Sequence, residues 1–134
     1  GQHCIQCCRE AMARNYVPEV ALACLLHDGS EAYLADVTRP VKKNMTMYLQ
    51  IEEQLQNMIY HKFLGYVPEG EEAVLVKNID DACLYYEFDH FMGEKLFPVE
   101  PVMMGNPSYE VQPMKDVEAE FLALYHKIKE QMQG

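Results

Sequence analysis

The chain of 134 residues has no tryptophan, no long apolar run and few cations, and two of these absences limit what it can do. Only 11 Lys and Arg stand against 21 Asp and Glu, which gives a formal charge of −10. Because such a surface repels phosphate backbones and anionic lipids, we expect neither a nucleic-acid polymer nor a membrane as a partner. The longest apolar run, residues 20–26, is far shorter than the roughly 18 residues of a membrane span.

The cysteines are odd in number and partly clustered, which does not resemble a disulfide framework. They are Cys4, Cys7, Cys8, Cys24 and Cys83. The Cys4-x-x-Cys7 spacing alone is compatible with zinc or redox chemistry, but no second Cys pair or close Cys/His partner in the sequence completes a zinc set. We therefore expect a cytoplasmic protein whose reduced thiols serve as small core residues.

Apolar residues make up 49% of the chain and recur at helical spacing, and no alternating β pattern is found. This periodicity predicts long helices and one short helix, over residues 2–15, 18–26, 30–35, 45–64, 71–92 and 115–132. Residues 20–26 are apolar all round, so the second helix is expected to be buried, with Gly29 ending it in the left-handed conformation. Residues 97–113 contain four prolines and are expected to form a long loop. The prediction is a single all-α domain over residues 1–134, with five to six helices.

Four side chains are suited to one divalent metal ion. They belong to His3, His27, Asp28 and Asp80. Imidazole nitrogen and carboxylate oxygen favour Mn, Fe, Co, Ni or Zn over Ca. The adjacent pair His27 and Asp28 follows the buried helix, which would put the metal at the edge of the core. Burying an ionised aspartate there is costly without a partner, and a bound cation would remove that cost.

The His-Asp pair and its neighbours resemble the signature of the HD-domain metal-dependent phosphohydrolases. That family carries one His, then a His-Asp pair, then a distant Asp, and the four residues above match this order. The chain is most similar to the bacterial 5′-deoxynucleotidase branch, in which the pair is followed by a stretch that here reads HDGSEAYLADVTRPVK. Glu87, seven residues after Asp80, also fits the branch pattern, although we favour a buried hydrogen-bonding partner there.

The resemblance implies an HD-domain-like helical bundle that binds one divalent metal ion, which could be Mn, Co, Fe, Ni, Zn or Mg. It also implies hydrolysis of phosphomonoesters, with nucleoside 5′-monophosphates or a related small nucleotide as substrate. Glu31 and Asp36 are the implied acid–base groups, and their division of roles stays open. Arg39 and Lys42, the nearest cations in the sequence, are the expected contacts of the phosphate. A homodimer is plausible for the family.

The chain departs from the family pattern at its start, where only two residues precede His3. The branch places an arginine and an aromatic residue upstream, and both contact the substrate there, so we expect either that a segment of the family's domain is missing here or that substrate selection differs. One alternative is therefore a regulatory HD domain that binds metal or nucleotide but has lost turnover. Another is a structural helical domain with an acidic binding face. Asp81 is an alternative to Asp80 as the distant aspartate of the pattern, and we favour Asp80.

Overall fold

The computed structural model describes residues 2–29 and 45–133, apart from the side chains at 45, 46 and 48, and these ranges contain helices and no strands. The described helices are α1 Gln2–Ala13, α2 Pro18–Leu26, α3 Met45–Phe63, α4 Glu71–Met92 and α5 Met114–Gln133. The all-α prediction is confirmed, and each helix begins and ends within two residues of its expected bounds. The short helix expected at 30–35 lies outside the described residues. None of the described helices is both long enough and apolar enough to cross a membrane.

The central element of the fold is α2. Pro18 opens this helix, where its missing N–H is harmless. Each residue from Val20 to Leu26 is at most 4% exposed. Helices α1, α4 and α5 pack around it, and α3 contacts it more lightly. The prediction of a buried helix at this position is therefore confirmed, and the residues at its C-terminal end lie at the edge of the core.

Gly29 does not adopt the left-handed conformation expected of it. The helix ends at Leu26, and the following His27 keeps right-handed angles of φ −62 and ψ −26. A glycine is suited to position 29 because of space instead. A Cβ atom there would lie 3.1 Å from two side-chain atoms of Ile59 on α3, closer than side chains usually approach.

Only the C-terminal half of α3 is well packed against the core among the described side chains. Ile59 and Tyr60 are buried, as is Leu64 directly after the helix. Ile51 and Met58 share an apolar face with Ile59 in the amphipathic pattern, yet they are 44% and 65% exposed. Periodicity identifies this apolar face, but it does not fix the rotation of α3 against α2, its main described neighbour.

The loop expected at residues 97–113 joins α4 to α5 and is fastened to α1 by a buried carboxylate. Glu10, which is only 2% exposed, accepts the backbone N–H of Gly105 at 2.7 Å and that of Met104 at 2.9 Å. The same carboxylate accepts a hydrogen bond from the Arg14 guanidinium at 2.6 Å, one turn later on α1. The loop is therefore held to α1 through its backbone, without regular structure of its own.

Two glutamines at the start of α1 hold the next part of this loop. The side-chain amide of Gln6 donates to the carbonyl of Ser108 at 2.6 Å. That of Gln2 donates to the carbonyl of Glu110 at 2.8 Å. These bonds lay the loop alongside the first turn of α1, where His3 is located.

Candidate metal centre

Three segments of the chain bring two imidazoles and a carboxylate together at the edge of the core. His3 lies in the first turn of α1, His27 directly follows α2, and Asp80 lies on α4. Asp80 Oδ1 is 2.6 Å from His3 Nε2 and 3.0 Å from His27 Nε2, although the two histidines are 77 and 53 residues away in sequence. The structure thus brings together three of the four predicted metal ligands.

Each histidine is oriented by a hydrogen bond from its other ring nitrogen. His3 Nδ1 donates to the carboxylate of Glu87 at 2.9 Å, two turns after Asp80 on α4. His27 Nδ1 donates to the carbonyl oxygen of Cys24 at 2.6 Å. Such bonds fix the ring and turn Nε2 toward a shared point, as is usual for histidines that bind metals. The role of hydrogen-bonding partner favoured for Glu87 is confirmed.

Asp28, the fourth predicted ligand, lies beside His27. Its Oδ2 is 3.3 Å from His27 Nε2, and its side chain is 36% exposed. Donor atoms within 4.8 Å of one another fall into two sets that share His27. One set is His3, Cys7, His27 and Asp80, and the other is Cys4, His27 and Asp28. The four predicted ligands are therefore neighbours, but Asp28 belongs to a second set of donors.

Two cysteines contribute donors that the sequence analysis did not assign. Cys7 Sγ is 3.5 Å from His3 Nε2, and Cys4 belongs to the set around Asp28. All five cysteines are buried and free, so the prediction of core thiols is confirmed. The sequence analysis found no Cys or His partner that completes a zinc set with the Cys4-x-x-Cys7 pair, and the structure puts His3 next to Cys7. Cys7 follows His3 by four residues, a spacing that puts both on one face of a helix.

Neighbouring acidic groups raise the pKa of both histidines, although burial alone would lower it. Burial by itself lowers the pKa of His3, but hydrogen bonds to Asp80 and Glu87 outweigh it and raise this pKa to about 10. Burial also opposes the charged form of His27, and Asp80 together with Cys4 raises its pKa to about 11. Burial disfavours the ionised Asp80 carboxylate as well, yet the two histidines hold the pKa of that carboxyl well below its usual range. These contacts favour the protonated form of both histidines and the ionised form of Asp80 when no metal is bound.

The donors suit a divalent transition metal in chemistry, and their spacing would need only small changes to hold one. Two imidazole nitrogens, a carboxylate oxygen and a thiol are ligands of Zn²⁺ and its neighbours. Around a tetrahedral ion, bonds of roughly 2.0–2.3 Å put neighbouring ligand atoms roughly 3.3–3.6 Å apart. The observed separations are 2.6 Å and 3.0 Å from Asp80 to the histidines, and 3.5 Å from Cys7 to His3. Small outward movements of the side chains would admit the ion, which would replace the protons of the two imidazolium rings.

The carboxylate next to Asp80 lies outside this cluster. Asp81 accepts a hydrogen bond from Lys77 at 3.3 Å, one turn earlier on α4, and the lysine is largely exposed. The structure therefore groups Asp80, and not Asp81, with His3 and His27. The predicted acid–base and phosphate-contacting residues lie outside the described part of the chain. These are Glu31, Asp36, Arg39 and Lys42.

Two openings adjoin the cluster from different sides. A cleft of about 590 Å³ passes Asp28 and is walled by apolar side chains that include Leu25 and Phe121. A smaller pocket of about 170 Å³ reaches His3 and is bounded by Tyr109 of the long loop. The larger cleft falls within the range of pockets that hold small molecules.

Comparison with known proteins adds no relative. No family model matches the chain, and no curated protein or solved structure matches it. The chemistry of the cluster is therefore argued from its own donors, distances and charges.

Proposed function

We propose that the protein is a metal-dependent phosphohydrolase of the HD-domain type, which removes phosphate from nucleoside 5′-monophosphates or a related small nucleotide. The observation that carries this proposal is that the Nε2 atoms of His3 and His27 both lie within 3.0 Å of Asp80 Oδ1. These three residues come from three helical segments and follow the order of the family's ligands. A chance surface cluster has no reason to reproduce that order together with Asp28 beside it.

The residues of this chain would hold the ion and orient its ligands. His3, His27 and Asp80 supply the donors, while Glu87 and the Cys24 carbonyl hold the two rings through their Nδ1 atoms. A bound divalent ion lowers the pKa of a coordinated water and neutralises charge on a phosphoryl group. Because the chain carries a formal charge of −10, such a local cation is what would let an anionic substrate approach.

The cleft beside Asp28 suits the nucleoside part of the substrate. Its volume of about 590 Å³ is adequate for a nucleotide, and Leu25 and Phe121 offer apolar walls for a base. The described residues that line this cleft include no lysine or arginine. The phosphate charge would therefore be met by the metal, with Arg39 and Lys42 as the expected additional contacts.

The test is phosphate release from a panel of nucleoside 5′-monophosphates after loading with Zn²⁺, Co²⁺ or Mn²⁺. We expect release by the parent protein and none above the buffer blank by Asp80→Asn, which removes the carboxylate charge between the histidines. Asp81→Asn is the matched control, because this neighbouring carboxylate contacts Lys77 and should leave release unchanged.

Metal content is measured on the same samples by elemental analysis. Stoichiometric metal in the parent and little in Asp80→Asn would support the centre independently of the substrate chosen. Equal phosphate release from Asp80→Asn and the parent would refute the proposal. Bound metal without release from any member of the panel would also count against an enzyme and favour a binding domain without turnover.

A further inference from the structure

We propose that Cys7 is a further ligand of this centre and that its thiolate makes the site selective for a zinc-class ion over Mg²⁺ and Mn²⁺. This inference rests on the metal centre proposed at His3, His27 and Asp80. It adds a sulfur donor to a set that the sequence pattern describes with nitrogen and oxygen alone. It also names the class of metal, which that pattern leaves open.

The position of the sulfur carries the inference. Cys7 Sγ lies 3.5 Å from His3 Nε2, and it is within 4.8 Å of the donor atoms of His27 and Asp80. For Zn–S and Zn–N bonds of about 2.3 and 2.05 Å, a tetrahedral ion separates the two ligand atoms by roughly 3.5 Å. The Cys7–His3 edge therefore already has the length that a shared zinc ion requires.

The position of Cys7 on α1 supports the same role. The residue is fully buried and lies one turn after His3 on α1, so the helix presents both donors to the same point. On binding, the S–H bond breaks, the proton leaves to solvent, and a sulfur lone pair enters the metal's coordination shell without any electron transfer. Thiolate suits Zn²⁺ and Co²⁺, whereas Mg²⁺ and Mn²⁺ favour oxygen donors.

Four protein donors of this kind fill a tetrahedron. Zn²⁺ sometimes expands to five ligands, which would give a position to water or a phosphate oxygen. Cys7 would then set which metal occupies the centre, while the neighbouring Asp28 and the cleft remain available to a substrate. The remaining buried thiols, Cys8, Cys24 and Cys83, belong to neither set of donors, and Cys8 provides a control.

Co²⁺ is the probe, because a thiolate–cobalt bond adds a charge-transfer absorption in the near ultraviolet to the visible bands of the ion. We expect both features in the parent protein. Cys7→Ser should lose the near-ultraviolet band and keep visible bands, whereas Cys8→Ser should keep both. Cys8 is the matched control because it is on the same helix and, like Cys7, 0% exposed. Far-ultraviolet circular dichroism of the metal-free variants verifies that each is folded.

Competition titrations add a second measurement. We expect Zn²⁺ affinity to fall by about tenfold or more in Cys7→Ser, since even residues that only support a metal ligand are worth about that much. Mn²⁺ affinity should hardly change, because a sulfur donor contributes little to it. Equal losses for both ions would overturn the claim of selectivity.

The possible failures are distinguishable. An unchanged near-ultraviolet band in Cys7→Ser overturns the inference, and its loss in Cys4→Ser instead would assign the sulfur to the set around Asp28. Visible bands without a near-ultraviolet band in the parent also overturn the role of Cys7, but leave the metal centre standing. No cobalt bands at all would overturn both the inference and the centre on which it rests.

Discussion

Replacement of Glu10 by alanine should release the long loop from α1 while the helices remain folded. The change removes the shared acceptor of the Met104 and Gly105 backbone N–H groups and of the Arg14 guanidinium. Glu10 is 2% exposed and the Arg14 side chain 16%, so water replaces these bonds poorly. Removing one member of a buried, hydrogen-bonded charge pair costs about 3–5 kcal/mol. Against a total stability of about 5–15 kcal/mol for a domain, this loss is a large fraction, and a parent near the middle of that range leaves the variant folded.

Urea unfolding followed by far-ultraviolet circular dichroism measures this loss, and amide hydrogen exchange locates it. We expect the amides of Met104 and Gly105 to be protected in the parent and to exchange quickly in Glu10→Ala. Glu120→Gln is the control, because Glu120 pairs with Arg9 on a surface where the arginine is 55% exposed. Exposed pairs contribute about 0–1 kcal/mol. A loss for Glu10→Ala no larger than that of Glu120→Gln, with both loop amides still protected, would refute the reasoning.

Three further predictions concern the cluster and the core. In the metal-free protein, the cluster should stabilise the fold most between about pH 4 and 6.5. The pKa of His3 is raised from 6.5 to about 10 and that of His27 to about 11, so this stabilisation is lost as the pH rises from 6.5 toward those values. Because the pKa of Asp80 is lowered, the stabilisation is also lost as the pH falls below 3.8, the ordinary pKa of an aspartate. Thermal unfolding in a chelator across this pH range measures both losses of stability. A stability that does not fall above pH 6.5 would contradict the protonated state assigned to the two histidines. Zn²⁺ at a hundred times its dissociation constant should raise the free energy of unfolding by about 2.7 kcal/mol, an effect that a chelator reverses and Asp80→Asn lacks. Leu22→Ala, at a fully buried position of α2, should cost about 2–5 kcal/mol in urea unfolding, and a cost below about 1 kcal/mol would contradict a central place for that helix.

Helix positions were predictable here because their signals are local. Pro18 marks the start of α2, and Gly93 ends α4 in the left-handed conformation. The apolar run at residues 20–26 announced a buried helix without any knowledge of its partners. The rotation of one helix against another is not a local property, and this is why the exposure of Ile51 and Met58 on α3 did not follow from periodicity.

The candidate site was predictable in its residue types and order, but not in its detailed grouping. The order of one His, a His-Asp pair and a distant Asp drew attention to His3, His27 and Asp80. Whether Cys7 or Asp28 would stand nearest to that trio depends on how α1 meets α4, which no pattern in the sequence specifies. The spacing of His3 and Cys7 was visible, but without the third dimension it could not be told from ordinary core packing.

The anchoring role of Glu10 was out of reach for the same reason. The carboxylate of Glu10 accepts hydrogen bonds from backbone N–H groups that are 94 and 95 residues away in the loop. Every residue except proline has such a group, so the sequence gives no sign of these partners. A carboxylate on an amphipathic helix is usually solvated. Only the path of the long loop shows that this one is buried.

The division of labour along the chain has an evolutionary consequence. The described donors of the cluster come from the first 28 residues and from α4, whereas the side chains expected to handle the phosphate and its protons fall between residues 31 and 42. Under the proposed function, the metal ligands and the groups that handle the phosphate would therefore lie on separate stretches of sequence. Mutation of the second stretch would then change the chemistry without removing the ligands of the ion, and a lineage that lost turnover would keep its metal.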